Sequence, residues 1–482
     1  MDSLPDDAAG ARPLAALSRF RADFHACLTA RADELCELAD AVLCADGPVR
    51  DLAGLSLAPE HRRGHGALYD AVNHGRVDIG RLRRLLAGLA LPRAADGRLV
   101  LAADVSNWLR PGAATSPERL FCHVYGRGKG QAQMIPGWPY SVIAALEPGR
   151  TSWTAVLDAV RLGPDDDETE VTAVQVREVV TRLVTAGHWR EGDLPVLVVF
   201  DAGYDVTRLA WLLADLPVVL CARLRSNRVF YAVPAPKPPG MGGPPREHGA
   251  PVRCDDETTW AAPAVTGQAG TSRYGTVQVA AWDRMHPKLA KIAGWARHPG
   301  KIPLIEGTLI QLRPARLPGY RELKPMWLWA SVTGAGEPEI TVLWQAFLRR
   351  FDLEHTFRFF KQVLGWDAPL LRDPAAADRW TWLIIACYTQ LRLARPLAAD
   401  LRLPWQRPAP PGTMTPARVR RGFRRVRDTV STPAAPPKPC HPGPGRPKGS
   451  ANQHKAPRYD VGKRHPKGRK RTKRRAKTRQ TG

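Results

Sequence analysis

Two short apolar runs constrain this chain more than any other feature. In "LPVLVVFDAGYD" (194–205), five apolar residues, Val196 to Phe200, lead directly into Asp201. In "RLVLAADVSNWLRP" (98–111), Leu99, Val100 and Leu101 lead towards Asp104. Runs of this length bounded by turn residues predict buried strands. Between them "VTAVQVREVVTRLVTAG" (171–187) has the spacing of an amphipathic helix, and "TRLAWLLADL" after Asp201 reads as another. Strands alternating with helices predict an α/β sheet.

In an open α/β sheet, ligands bind at the carboxyl ends of the strands. A lone Asp after a strand often serves only as a turn or helix-cap residue. Two on strands that could be neighbours repel each other unless positive charge lies between them. A pair of Mg²⁺ ions would supply it, because hard cations take carboxylate oxygens.

A third acid belongs to "FLRRFDLEHTFRFFKQVLGW" (347–366), which predicts a single aromatic-rich helix. At roughly 100° per residue, Phe347, Arg350, Glu354, Phe357 and Lys361 fall within about 80° of one another. The stripe has two readings. It is a locally neutralised core helix, or it faces metal and phosphate with Glu354 as third ligand. An Arg350–Glu354 pair in this order contributes at most about 0.5 kcal/mol, which favours the second. Asp352, Glu337 and Glu339 are competing acids, but none shares the stripe with both cations.

Charge divides the chain. Of 71 Lys and Arg, 22 lie in Thr415–Gly482 beside two acids, Asp428 and Asp460. The first 414 residues hold 49 basic and 44 acidic side chains, an ordinary globular balance. A polycationic tail attracts nucleic acid through counterion release. Its Pro- and Gly-rich stretch "PAAPPKPCHPGPGRPKGS" cannot build a core, so 406–482 is expected to be disordered. The run "GRKRTKRRAKTR" (468–479) is expected to bind nucleic acid without sequence preference.

The eight cysteines show no CxxC spacing, which argues against a zinc knuckle and fits a reduced setting. The N-terminus does not read as a signal peptide, and "WTWLIIACY" (380–388) is too short to span a bilayer.

Residues 1–95 read as a helical domain. "HGALYDAVNHG" and "DIGRLRRLLAGL", split by "NHGRV", are either a helix-turn-helix with Arg81, Arg83 and Arg84 towards DNA, or a bundle with a solvated Arg face. Core segments 96–232 and 326–405 flank a β-rich insertion at 233–325. "YGRGKGQAQMIPGWPY" (125–140) offers Arg127 and Lys129 for phosphates and Trp138 and Tyr140 for bases. Trp108 is either a stacking platform or a core residue.

These motifs resemble insertion-sequence transposases of the DDE superfamily. Phe347-x2-Arg350-x3-Glu354-x6-Lys361 matches the spacing of the Tyr-Arg-Glu-Lys signature of one subgroup, with Phe in place of Tyr. "DAGY" (201–204) matches its second motif, and Asp104 in "AADVSNW" its first acid. The phrasing is similar to the actinobacterial-type branch, over roughly residues 95 to 400. The resemblance implies an RNase H-like core in which Asp104, Asp201 and Glu354 hold two Mg²⁺, with Mn²⁺ able to substitute, roughly 3.5–4 Å apart. It implies cleavage of element ends and transfer of the freed 3′-OH to target DNA. Arg350, Lys361 and Tyr204 become candidate DNA contacts. The implied setting is a homodimer on DNA in the bacterial cytoplasm, associated with the nucleoid. Two alternatives are a non-catalytic or domesticated DNA-binding protein and an RNase H-like nuclease without strand transfer. Phe347 cannot make the phosphate hydrogen bond of the subgroup's Tyr, which bears on hairpin intermediates.

Overall fold

The computed structural model describes residues 7–124, 131–149, 151–237, 244, 246–271, 275–296, 298–315, 325–410, 412–439, 447–451 and 453–466. The chain opens with helices α1 (Asp7–His25), α2 (Ala32–Cys44), α3 (Leu52–Ser56), α4 (His65–His74) and α5 (Ile79–Ala87). Two short strands, β1 (Leu28–Ala30) and β2 (Arg76–Val77), pair antiparallel among them. There follow β3 (Val100–Leu109), β4 (Leu120–Val124), β5 (Gln133–Leu146), β6 (Thr154–Arg161), α6 (Glu168–Thr185), β7 (Val196–Phe200), α7 (Val206–Leu212) and β8 (Val218–Leu224). Next come β9 (Val229–Tyr231), β10 (Pro251–Arg253), β11 (Val265–Thr271), β12 (Gly275–Pro287), β13 (Gly307–Pro314) and β14 (Met326–Ala330). The chain then runs through α8 (Glu337–Arg349), α9 (Phe351–Gln362), α10 (Pro374–Ala394) and α11 (Pro416–Thr429).

The described residues form one twelve-stranded mixed sheet. Its order is β10-β9-β12-β13-β14-β8-β7-β3-β5-β4, with β11 on β12 and β6 on β5. Strands β3, β7 and β8 are parallel neighbours, while β5 runs antiparallel to β3 and β6 antiparallel to β5. This mixed α/β arrangement is consistent with an RNase H-like fold. The sheet separates two cores. One face carries α8, α9, α10 and α11 with the N-terminal helices, and the other carries α6 and α7.

Side-chain alternation sorts the central strands between these layers. On β3, Val100 and Ala102 face the α8–α10 layer, while Leu101 and Ala103 face α6 and α7. On β7, Leu197 and Val199 take the first side and Val198 and Phe200 the second. Strand β7 is therefore apolar at every position, and β3 from Val100 to Ala103.

Within 233–325, β12 and β13 continue the central sheet beyond β14. Four expectations need correction. The segment 347–366 is two helices, broken at Arg350, where the amide of Arg350 reaches back to the carbonyl of Phe347 and that of Leu353 to Arg350, each 3.0 Å. These three-residue spans tighten the turn between the two helices.

Residues 1–95 are not an independent domain, since their buried Leu35, Leu38, Leu68 and Val72 share one core with α10 and α11. A free DNA-reading face on α5 is not observed at Arg83. Its guanidinium lies 2.9 Å from buried Asp158 and also over the Trp382 ring.

The last correction concerns 406–482. Part of it is the packed helix α11, with Val419 and Phe423 fully buried. Two of its arginines face inward to the end of α2: Arg420 donates to the carbonyls of Val42 (2.9 Å) and Gly47 (2.8 Å), and Arg424 to that of Cys44 (2.8 Å). Carbonyls at a helix C-terminus lack partners within the helix, and guanidinium groups supply donors and favourable charge. Composition alone hides this, because the apolar stripe of α11 is only Val419, Phe423 and Val426 amid arginines. Val419→Ala is expected to lower stability by about 2 kcal/mol from lost burial and the void, read as a reduced urea midpoint with unchanged m-value.

Candidate active site

Asp104 sits mid-strand on β3 and Asp201 immediately follows β7. The parallel pairing of β3 and β7 ends at Ala102 opposite Val199, and each acid lies two residues further along the chain. Adjacent strands are about 4.8 Å apart, so the carboxylates are neighbours on the α8–α10 side. Glu354 lies in the first turn of α9. The three acids converge on one group, the Arg350 guanidinium. Its Nη1 is 2.6 Å from Asp104 Oδ2, and its Nη2 is 2.8 Å from Glu354 Oε1 and 3.9 Å from Asp201 Oδ1.

The site is part-buried. Asp104 and Arg350 side chains are 19% and 10% exposed, against 40% and 39% for Asp201 and Glu354, so the cluster opens on the side of the last two. Burial pushes the Asp104 carboxyl up to about 6; Arg350 opposes this, while Asp201 and Glu354 add to it. Burial pulls the Arg350 guanidinium down, but Asp104, Asp201 and Glu354 outweigh it and hold its pKa above the ordinary value. Asp201 Oδ1 is buried without a hydrogen-bond partner.

A family model described as DDE superfamily endonuclease matches residues 23–288, more than half of the sequence. The chain belongs to the DDE superfamily endonucleases. A search of curated proteins finds no match. The matched span contains Asp104 and Asp201 and ends before Glu354, so geometry alone joins the third acid to them. The family is one of endonucleases, which makes DNA the partner class of this chain.

The other acids of this DDE superfamily endonuclease are engaged elsewhere. Asp352 pairs with Arg349 at 2.5 Å, and burial pushes its carboxyl up to about 6. Glu339 receives both guanidinium nitrogens of Arg98 at 2.8 Å. Glu337 lies against Gly267 on β11.

Several expected DNA contacts lie inside the protein. Lys361 donates to the Asn107 carbonyl at 2.7 Å, its ammonium is 5.5 Å from the Trp366 ring centre, and burial lowers its pKa. It ties the end of α9 to β3 rather than flanking Glu354. The Tyr204 ring packs against Phe200 at 5.0 Å, and burial, then Asp104 and Glu168, push its phenol well above the usual value. Trp108 and Trp138 are fully buried and meet edge-to-face at 6.0 Å, and Tyr140 donates to Asp378 at 2.7 Å. Arg127 and Lys129 lie outside the described residues.

Sequence reasoning missed the groups that seat α9. The Thr356 and Thr154 hydroxyls are 2.9 Å apart, and the Thr154 amide donates to the Tyr388 hydroxyl at 3.1 Å, all buried. Two residues from Glu354, this hub pins the helix to β6 and α10. Thr154 lies 202 and 234 positions from Thr356 and Tyr388, so no local pattern could reveal the hub.

Proposed function

We propose that this chain is a DNA transposase whose acidic triad is Asp104, Asp201 and Glu354. The carrying observation is the convergence of three acids, from two strands and a distant helix, on a single cation. Arg63 also meets three acids, Asp33, Glu34 and Glu37, but those share the single helix α2, whereas Asp104, Asp201 and Glu354 come from two adjacent strands and α9 and make an anionic cradle open to solvent on one side.

The donor set suits hard divalent cations, Mg²⁺ or Mn²⁺, because every ligand atom is a carboxylate oxygen and one of them, Asp201 Oδ1, is buried without a donor. Among the described residues no three acidic, His or Cys side chains are placed to hold a metal ion as they stand. Arg350 holds that place, so it must yield before cations enter. Bound there, two divalent ions would neutralise charge on the attacking and leaving oxygens of an in-line phosphoryl displacement.

The chain's own groups do the rest. Asp104 and Asp201, fixed by strand register, set the spacing of the cradle. Glu354 closes it from α9, held by the Thr154–Thr356–Tyr388 hub. Arg350, once released from the acids, has the fork geometry to grip a phosphate beside the scissile bond. No ATP is needed when one phosphodiester replaces another. Two copies of the chain, one per element end, complete the reading.

The test uses the full chain with duplexes carrying the DNA that flanks its coding sequence. In Mg²⁺ or Mn²⁺, cleavage leaving 3′-OH ends and joined target products are expected; in EDTA or with Glu354→Gln, neither. Cleavage without joined products would make it a nuclease, and binding without cleavage a DNA-binding protein.

A further inference from the structure

Three neighbouring strands place three charged residues in one row. Strand β8 lies between β7 and β14 and is hydrogen-bonded to both. Its parallel pairing with β7 ends at Phe200 opposite Ala222, so the next residues, Asp201 and Arg223, are level with each other. Asp104 is level with Asp201 on the other side of β7. Alternation fixes the face. Leu220 and Ala222 of β8 join the α6–α7 core and Cys221 the opposite one, so Arg223 shares the face of Asp104 and Asp201. Its cross-strand neighbour on β14, Leu328, belongs to that same face. The row reads Asp104, Asp201, Arg223 across β3, β7 and β8, with about 4.8 Å between strands.

Exposure rises along the row, from part-buried Asp104 through Asp201 to exposed Arg223. Surface arginines are ordinary, but β8 is an interior strand. Its face is covered as far as Cys221, whose thiol meets the Leu343 carbonyl of α8 at 4.0 Å. Two residues on, the cover has ended and the sheet presents a guanidinium. The acids do not consume it: among the described residues the Arg223 side chain has no ion pair and no hydrogen-bond partner. Asp201 Oδ1, one strand away, is 3.9 Å from Arg350 and buried without a hydrogen bond, so Arg223 does not turn back to it. Arg225, just past the end of β8, is exposed and its side chain is likewise unpaired among the described residues. Other arginines near the acids are occupied, Arg349 by Asp352 and Arg98 by Asp96 and Glu339.

We propose that Arg223 and Arg225 hold the phosphates next to the scissile one, so that the bound DNA strand leaves the acids on the Asp201 side and crosses the end of β8. The proposal rests on the reading that the scissile phosphate lies over Asp104, Asp201 and Glu354. Successive phosphates of one strand advance about 3.4 Å along the duplex axis, a step comparable with the roughly 4.8 Å from β7 to β8. A strand centred on the acids therefore brings its next phosphates over Arg223. The planar guanidinium fork suits phosphate oxygens, and such contacts fix the register of DNA without reading its sequence. The arginines divide the work. Arg350 is spent on the acids until cations enter, whereas Arg223 and Arg225 are engaged by no described acid. They offset the repulsion between the anionic cradle and DNA at first encounter and position the strand.

The experiment is fluorescence anisotropy of the full chain on a duplex of the DNA that flanks its coding sequence, in EDTA so that cleavage plays no part, over a salt series. Each phosphate contact contributes about 0.9 to the slope of log K against log salt. Arg223→Gln should lower that slope by about one and weaken binding about five- to tenfold near 0.1 M salt. Adding Arg225→Gln should lower the slope by about one more. Arg223→Lys keeps the charge and should restore the slope, which a merely structural role would not do. Arg190, exposed in the turn that precedes β7 at the other end of the sheet, serves as control, and Arg190→Gln should change neither quantity. An unchanged slope in Arg223→Gln, or an equal drop in Arg190→Gln, overturns the proposal and leaves the triad reading intact. A wild type that does not bind the duplex overturns both.

Discussion

Asp104→Asn should lower DNA cleavage by on the order of 10³-fold or more, a loss of several kcal/mol of transition-state stabilisation, while the protein stays folded. The amide keeps the shape of the side chain and its hydrogen-bonding capacity but cannot offer an anionic ligand. Stability is expected to move the other way. The folded-state pKa of Asp104 is raised from 3.8 to about 6. Between these values the native state holds a proton that the unfolded chain has released, so this group costs stability as pH rises through that window. Asn carries no charge, so the variant should lose that part of the pH dependence and melt at a temperature equal to or above wild type at neutral pH. Thermal melts at pH 4.5 and 7.5, beside single-turnover cleavage, separate the two effects. A variant that cleaves normally would remove Asp104 from the site.

Arg350→Ala carries the second large effect, and here the sign depends on cations. The guanidinium balances three carboxylates within 4 Å. Its loss leaves them facing one another. Breaking a fully buried ion pair costs about 3–5 kcal/mol. Asp201 and Glu354 are roughly two-fifths exposed, so about 2–4 kcal/mol is expected at neutral pH in EDTA. The loss should shrink at pH 5, where protonation relieves the repulsion. Mg²⁺ or Mn²⁺ should restore stability by taking the vacated place, giving a larger rise in melting temperature than in wild type. Activity should nevertheless stay low, because the phosphate grip is gone. Equal responses to divalent ions in variant and wild type would show that the acids are not a cation cradle.

Legibility in the sequence followed the range of the forces involved. Val196–Phe200 and Leu99–Leu101 announce their strands because a buried strand must be apolar on both faces, and that requirement is written locally. Asp104 and Asp201 stand out for the same reason: each ends an apolar run. Glu354 was legible from its spacing to Arg350, although the helix carrying them was expected to be continuous. The break at Arg350 has no local signature, since no Pro or Gly marks it, and it arises where α8 and α9 pack on different parts of the sheet.

The failures share a cause. Lys361, Tyr204, Trp138 and Tyr140 have side chains suited to DNA, and sequence cannot say whether an amphipathic side chain points outward or inward. Arg420 and Arg424 show the same ambiguity, since arginines in a basic tail proved to be donors for the C-terminal carbonyls of α2. By itself, the sequence determined the α/β class, the order of the acid-bearing strands and the charge division between body and tail, because these depend on local periodicity and composition. Only the tertiary structure decided that three acids 97 to 250 positions apart share one guanidinium. It also decided that the insertion strands extend the central sheet and that α11 belongs to the core. Those outcomes depend on which surfaces meet across the chain, and the energy of such a meeting resides in both partners at once.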